Sequence, residues 1–80
     1  MVVAEVKIKL KKGVADPEGA NTKKTLELLG FGNVASVKSV KVFEIYLDTE
    51  SLEEAETIVN EMCEKLLANP VIHEYSITIS

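Results

Sequence analysis

Residues 2–10 read VVAEVKIKL and alternate between two sets of side chains along their whole length. One side carries Val2, Ala4, Val6, Ile8 and Leu10, and the other carries Val3, Glu5, Lys7 and Lys9. A period of two residues is typical of a β-strand with one buried face and one exposed face. We therefore expect a strand here, around which the rest of the fold is arranged.

A helix is predicted next, and it begins at residues 16–19, which read DPEG. Asp16 is a favourable N-cap, because its carboxylate can accept the free backbone N–H groups of the first turn. Pro17 suits the first helical position, where an N–H group would have no partner. Gly30 is expected to end the helix as a left-handed residue, with Phe31 making the accompanying apolar contact. The residues expected to point toward the core are Ala20, Leu26 and Leu29.

Residues 34–47 read VASVKSVKVFEIYL, a β-branched and aromatic stretch that predicts a strand of unusual length. Its apolar residues do not keep to one face of a strand. Val37, Phe43, Ile45 and Leu47 have odd numbers, whereas Val34, Val40 and Val42 have even numbers. Either a bulge or turn shifts the register near residues 38–42, or both faces are covered. The segment is therefore one long strand or two shorter strands.

The second helix is the clearest in the chain, and Ser51 opens it with Glu54 in the spacing of a capping box. Apolar residues then recur at steps of three and four, at Leu52, Ala55, Ile58, Val59, Met62, Cys63, Leu66 and Leu67. Asn69 and Pro70 are expected to stop this helix. A last strand follows, in which Val71, His73, Tyr75, Ile77 and Ile79 alternate with polar residues.

The predicted order β-α-β(β)-α-β defines a single domain over residues 1–80, of class α+β. We expect a two-layer sandwich with two helices on one face of a mainly antiparallel sheet. A core of this size is marginal unless something else stabilises it. The chain has one cysteine and one histidine, so neither an internal disulfide nor a Cys/His zinc site can form. Association with another chain is the remaining means of stabilisation.

Charge and hydropathy narrow the possible partners. The net charge is −4 and there is no arginine, which disfavours nucleic acid. Residues 1–41 hold eight lysines and four acids, whereas residues 42–80 hold one lysine and nine acids. No apolar run is long enough to span a membrane, and the N-terminal stretch does not have the pattern of a signal peptide. With a lone, buried-looking cysteine, these features predict a cytoplasmic protein.

Two helices can cover only one face of the sheet, so the other face is a candidate interface. An apolar patch is expected there, made of Val3, Val40, Val42, Tyr46 and Ile72 and rimmed by Lys7, Lys9, Lys41 and Glu74. Asp16, ahead of the first helix, is a further interface candidate. These residues predict a homodimer or a dimer of dimers, that is, a homotetramer.

No catalytic, cofactor-binding or metal-binding residue is predicted. His73 and Cys63 lie in apolar phases, where packing roles are more common than catalysis, and the glutamates of the second helix are best explained as a solvated face. Phosphate-binding and nucleophile motifs are missing from the sequence. Three function classes remain: an adaptor subunit, a ferredoxin-like small-molecule regulatory module, and a small enzyme whose site forms at an interface.

Three segments together resemble the PurS family, the small subunit of phosphoribosylformylglycinamidine synthase. They are residues 16–19, the strand from Val37 to Leu47 that ends in Phe43-Glu44-Ile45, and residues 61–72, which read EMCEKLLANPVI and precede Tyr75. The similarity covers nearly the whole chain. One departure lies at residues 37–41, which read VKSVK where the family often shows VRxGK. Lysine at position 38 cannot reproduce bidentate guanidinium contacts, whereas Lys41 is retained.

The resemblance implies a role in the ATP- and glutamine-dependent conversion of FGAR to FGAM in purine synthesis. It implies a complex that uses ATP and Mg, in which a glutaminase, PurQ, releases ammonia and a ligase, PurL, carries the ATP and substrate sites. The PurS subunit would join the two and help to keep the ammonia path closed to solvent. It implies no catalytic residue and no bound cofactor in this chain.

Overall fold

The computed structural model describes all 80 residues. It contains strand β1 (Val2–Leu10), helix α1 (Pro17–Leu28), strand β2 (Val40–Leu47), helix α2 (Leu52–Met62) and strand β3 (His73–Ile79). A π-helical turn over Cys63–Leu67 continues α2. The α+β class predicted from the sequence is confirmed. None of the helical segments combines the length and the apolar character that crossing a bilayer requires.

The three strands form one antiparallel sheet in the order β2-β1-β3. The alternating N-terminal segment is therefore the central strand, and β2 and β3 are the two edges. Ala4 lies opposite Ile45 on one side and opposite Ile79 on the other. Because side chains alternate across a strand, the even-numbered residues of β1 share a face with the odd-numbered residues of both neighbours.

The core lies between this face and α2. Its buried side chains come from β1 and from the segment that starts with α2: Val2, Ala4, Val6, Ile8, Ala55, Val59, Cys63 and Ala68. Helix α2 packs against β1 and β3, as its apolar stripe predicts. Fully burying a valine or isoleucine contributes about 1.5–3 kcal/mol, so this short set of side chains supplies most of the stability of the layer.

Helix α1 does not share that layer, because the chain leaves and re-enters the sheet at the same end. Lys9, near the end of β1, lies opposite Val40, the first residue of β2. Residues 11–39 therefore form an excursion from the end of the sheet, which we call the arm. Helix α1 makes at most marginal contact with the strands, and the molecule extends over 48 × 25 × 14 Å.

The core positions predicted for α1 need correction for the same reason. Gly19 is the buried residue of α1, whereas Ala20 is exposed and Leu26 is half-buried. Leu29, expected in the core, is 69% exposed. At Gly19, α1 meets the returning part of the arm, where the Val37 carbonyl oxygen lies close to the helix.

The predicted helix ends are confirmed. Asp16 is the N-cap of α1 and accepts a hydrogen bond from the backbone N–H of Gly19. Gly30 has a φ of 100°, and the N–H groups of Gly30 and Phe31 donate to the carbonyls of Glu27 and Leu26 at 3.1 and 3.0 Å. This pair of hydrogen bonds is a Schellman motif, which ends a helix at a left-handed glycine.

The ends of α2 lie where the sequence predicts them, but the capping box is only half formed, since the Ser51 N–H donates to Thr49 Oγ1 at 3.2 Å. Ser51 Oγ accepts a hydrogen bond from the N–H of Glu54 at 3.2 Å. At the far end, the N–H of Ala68 donates to the carbonyl of Cys63 at 3.0 Å and closes the π-helical turn. The polypeptide then turns at Asn69 and Pro70 toward β3. The predicted stripe thus spans an α-helix and a π-helical turn.

The long strand predicted over residues 34–47 is shorter in the structure. Strand β2 starts at Val40, and residues 33–39 have no partner strand within the chain. Their β-branched composition favours extended backbone, but a strand also needs a neighbour for its hydrogen bonds. The presence of apolar residues at both odd and even positions is explained by the two faces of the sheet. Phe43, Ile45 and Leu47 lie on the α2 side, and the even-numbered residues of β2 lie on the opposite side.

Candidate interaction surfaces

The sheet face turned away from α2, here called the open face, carries the odd-numbered residues of β1. In the register of the sheet, Val3 lies opposite Tyr46, Lys7 opposite Val42 and Ser76, and Lys9 opposite Val40 and Glu74. The large apolar side chains of β2 on this face are exposed: Val40 by 45%, Val42 by 48% and Tyr46 by 62%. The structure thus brings together four of the five residues predicted for the apolar patch.

Charged residues on the open face are arranged in rows across the strands. Lys9 Nζ lies 3.2 Å from Glu74 Oε1, but both side chains are half-exposed, so the pair adds little to stability. One row carries charges of the same sign, because Glu5 lies directly opposite Glu44. Like charges in directly opposite positions destabilise an antiparallel pair. A positive group from outside the chain would relieve that repulsion.

The sequence pattern misplaces Lys41, and Ile72 lies at the end of the sheet. Lys41 lies opposite Ile8 in the register, so it shares the α2 side of the sheet and is not on the rim of the open face. Its ammonium group is 5.8 Å from the centroid of the Phe43 ring, within cation–π range. Ile72 precedes β3 in the turn after the helix, where its carbonyl accepts a hydrogen bond from the Lys11 N–H at 2.8 Å. This bond continues the β1–β3 ladder by one step, so Ile72 lies opposite Lys11 at the end of the sheet, directly before β3.

Asp16 is also away from the open face, at the base of the arm. Its Oδ1 accepts from the Gly19 N–H and from the Ser39 hydroxyl, each at 2.9 Å, and its Oδ2 accepts from the Ser39 N–H at 2.7 Å. These bonds hold the pKa of Asp16 below its usual value, the Gly19 N–H contributing most and Ser39 next. The sequence indicated the cap, but Ser39 is too far along the chain for any local pattern to identify it.

Gly19 completes the base of the arm. A Cβ atom at this position would overlap the carbonyl oxygen of Val37, so the return segment can pass close to α1 only where the helix has no side chain. The residues of the DPEG sequence thus act together. Asp16 caps α1 and binds Ser39, Pro17 starts the helix, and Gly19 allows the return segment to pass close to the helix. This explains in physical terms why these residue types follow each other here.

His73 and Cys63, which were weighed for catalysis, and the neighbouring Tyr75 all have structural surroundings. His73 Nδ1 accepts a hydrogen bond from the Asn69 N–H at 2.9 Å. Tyr75 Oη donates to Asn60 Oδ1 at 2.7 Å. Cys63 is fully buried, and desolvation, with a smaller effect from Glu64, raises the pKa of its thiol. No group of three or more His, Cys, Asp or Glu side chains is arranged to hold a metal ion.

The fold and these surfaces define a small α+β domain with a partly apolar, uncovered sheet face and a projecting helical arm. Residues 3–80 match the family model PurS, described as phosphoribosylformylglycinamidine (FGAM) synthase. A curated relative from Archaeoglobus fulgidus, the phosphoribosylformylglycinamidine synthase subunit PurS, is 60% identical over 76 residues and is covered, like this chain, over 95% of its length. The chain belongs to the PurS family.

Solved structures agree with this assignment. The crystal structure of Methanocaldococcus jannaschii PurS, described as one of the subunits of formylglycinamide ribonucleotide amidotransferase, matches with a TM-score of 0.91 and 49% identity, over 100% of this chain and 96% of that one. A chain in the structure of PurLQS from Thermotoga maritima matches with a TM-score of 0.86 and 26% identity, over 100% and 99% of the two chains. The family resemblance predicted from three sequence segments is confirmed.

Proposed function

We propose that this chain is the non-catalytic assembly subunit of a phosphoribosylformylglycinamidine synthase complex in the cytoplasm. In this role it joins a glutaminase subunit, PurQ, to a ligase subunit, PurL, in the ATP- and glutamine-dependent conversion of FGAR to FGAM. Membership of the PurS family supports the proposal. So does the likeness to a chain in the PurLQS structure from Thermotoga maritima, which covers this chain completely.

The chemistry of ammonia explains why a complex of this kind needs a subunit without reactive groups. Ammonia that escapes into neutral water becomes mostly ammonium, which has no free electron pair and is not a nucleophile. A glutaminase and a ligase must therefore be held together so that ammonia passes between them without equilibrating with solvent. A subunit can contribute to this by contact alone, and removing it would uncouple glutamine hydrolysis from ligation.

The observation that carries the proposal is the open face. A chain with eight buried apolar side chains leaves Val40, Val42 and Tyr46 about half or more exposed on one side of its sheet. Charged residues surround them, and the like-charge pair of Glu5 and Glu44 lacks a positive partner in the direct register. An apolar centre with a charged rim is the usual composition of a protein interface. We propose that a second copy covers part of this face in a homodimer or homotetramer.

Reconstitution of the enzyme tests the assembly role. PurL is assayed with free ammonia and, together with PurQ, with glutamine, in each case with and without this chain. Turnover with free ammonia is expected to be independent of the chain, whereas turnover with glutamine should fall sharply when the chain is left out. Equal loss of both activities, or loss of neither, would show that the chain does not couple the two subunits.

A binding experiment gives a second readout. The chain is immobilised and mixed with PurL and PurQ, with and without glutamine and ADP. Retention of both partners in at least one condition is expected. Failure to retain either partner in any of the four conditions would contradict the proposal.

A further inference from the structure

A cavity of about 400 Å³ opens on the α2 side of the sheet, beside the base of the arm. Three parts of the chain meet there: the end of the sheet where the arm leaves, the first turn of α1 and the π-helical turn after α2. We call it the basal cavity. Cavities of about 300–1,000 Å³ whose apolar walls carry a few converging polar groups are typical of small-molecule sites. The residues that give this one its chemistry are Ile8, Leu10, Glu18, Lys41, Leu67 and His73.

The apolar wall of the basal cavity comes from β1 and the π-helical turn. Ile8 is 4% exposed, and Leu10 and Leu67 are half-buried. Ile8 and Leu10 belong to the face of β1 that meets α2, and Leu67 is the last residue of the π-helical turn. An aliphatic group that lies against this wall is removed from water, which favours its binding.

Two opposite charges at the basal cavity are free to bind a ligand. Lys41 lines the cavity from β2, and Glu18 lines it from the first turn of α1. Neither takes part in any of the four ion pairs of the molecule. The Lys41 ammonium lies 5.8 Å from the centroid of the Phe43 ring, a contact that leaves its charge in place. A molecule with both a carboxylate and an ammonium group complements the two charges at once.

His73 adds a hydrogen-bond donor to the same cavity. Its Nδ1 accepts from the Asn69 N–H at 2.9 Å, so Nδ1 carries no proton and the proton of the neutral ring is on Nε2. The Nε2–H group has no acceptor within the chain, since the one side-chain hydrogen bond of His73 is the bond at Nδ1. A carboxylate bound by Lys41 therefore has a second donor available.

We propose that the basal cavity binds a zwitterionic α-amino acid with an aliphatic side chain. The carboxylate of the ligand binds Lys41 and His73, its ammonium group binds Glu18, and its side chain lies against the apolar wall. A simple anion would leave Glu18 unpaired, and a simple cation would leave Lys41 unpaired, so the two charges together select a molecule that carries both. The inference goes beyond the assembly role and does not depend on it.

The proposed ligand would connect two parts of the molecule. Glu18 belongs to the arm, whereas Lys41 and His73 belong to the edge strands of the sheet. A bound amino acid therefore holds the arm against the sheet at its base. The cavity is on the side of the sheet opposite the open face, so the ligand and a second copy on the open face do not compete for the same surface.

Titration with L-leucine, followed by NMR of the full chain, tests the site. Leucine is added to about 10 mM, which fills most of a site that has a millimolar Kd. Saturable shifts are expected for the methyl groups of Ile8, Leu10 and Leu67. Leucinamide, which lacks the carboxylate, and N-acetyl-leucine, which lacks the ammonium group, should each bind at least about tenfold more weakly. Absence of saturable shifts with leucine, or equal binding of all three compounds, would overturn the proposal.

Charge-removing variants test the orientation of the ligand. Lys41→Gln and Glu18→Gln change exposed side chains, and each should weaken leucine binding about tenfold. Lys24→Gln and Glu56→Gln change the net charge equally at exposed positions outside the cavity, and should leave binding unchanged. Circular dichroism checks that all four variants stay folded.

The same variants should also lose selectivity in a matched way. Glu18→Gln should no longer prefer leucine to N-acetyl-leucine, and Lys41→Gln should no longer prefer leucine to leucinamide. Wild-type affinity and wild-type preferences in both variants would show that these charges do not contact the ligand, and the proposal would then be wrong.

Discussion

The carboxylate of Asp16 binds both the backbone N–H and the hydroxyl of Ser39, at 2.7 and 2.9 Å. The two residues are 23 positions apart in the sequence and meet at the base of the arm. The same carboxylate caps α1 through Gly19. One side chain therefore starts the helix and closes the segment that contains it, so the orientation of the arm depends on a single charged group.

The pH dependence of stability should reveal this role of Asp16. Its pKa is lowered in the folded protein, so the bonds contribute stability above the usual aspartate pKa of about 3.9 and lose it as the pH falls through the folded value. Asp16→Asn keeps an N-cap but loses the charge. We expect wild type to be more stable than Asp16→Asn near neutral pH, and the difference to shrink in acid. Urea unfolding of both proteins at several pH values measures it.

A difference between wild type and Asp16→Asn that stays constant from neutral pH to below pH 3 would contradict this account. Asp48, which makes none of these bonds, supplies the control variant Asp48→Asn. Its difference from wild type should not follow the acid dependence of the Asp16→Asn difference, because Asp48 makes none of the bonds that the Asp16 carboxylate makes.

Two glycines of the arm should respond in opposite ways to the same substitution. A Cβ at Gly19 would overlap the Val37 carbonyl, whereas a Cβ at Gly32 would meet nothing within 4 Å. Gly19→Ala is therefore expected to lower the free energy of unfolding by about 1–3 kcal/mol, despite the better helix propensity of alanine. Gly32→Ala should raise it by about 0.4–1 kcal/mol, because it restricts the unfolded chain. Thermal or urea unfolding gives both values, and destabilisation of the two variants by equal amounts would refute the close approach.

The thiol of Cys63 should be protected in the folded protein. It is fully buried and its pKa is raised by desolvation, so little thiolate is present and reagents cannot reach it. Labelling with a thiol reagent at pH 8 should be many-fold slower in native buffer than in denaturant. Cys63→Ser should cost about 1–3 kcal/mol, because it buries a hydroxyl in an apolar site. Fast native labelling would show that this part of α2 opens readily.

The open face should be sensitive to a buried charge. Val42→Asp places a carboxylate beside Lys7 and two positions from Glu44, in the apolar strip proposed to meet a second copy. We expect the variant to form smaller assemblies than wild type in sedimentation, with unchanged circular dichroism because Val42 is 48% exposed. Thr57→Asp, on the solvent side of α2, is the control. An unchanged assembly size for Val42→Asp would show that the patch is not an interface.

Local patterns predicted most of the fold because the deciding interactions are local. Asp16, Gly30 and Ser51 act on backbone groups a few residues away, and the alternation of β1 follows from the burial of one face under α2 while the other face stays open. The direction of α1 could not be predicted in this way. Leu28 and Leu29 are apolar like the core residues of α2, yet they lie in the excursion between β1 and β2 and are exposed.

The interaction surfaces were predicted in part for a similar reason. Val3 and Tyr46 belong to stretches whose alternation continues without interruption, so their common face follows from the sequence. Lys41 lies where the phase of residues 34–47 was ambiguous, and a shift of one residue moves a side chain to the opposite face. Ser39 and Asp16 meet only after the whole arm has formed, and no short-range signal marks such a pair.

The central position of β1 has a consequence for biosynthesis. Its partners are residues 40–47 and residues 73–79. Of the three strands, β1 is therefore translated before the two strands with which it forms hydrogen bonds. It cannot acquire its second neighbour until residue 79 has been translated. Pairing over such separations is slow compared with helix formation. Until then the growing polypeptide exposes a hydrophobic strand with at least one unpaired edge, a state in which nascent proteins are prone to aggregate.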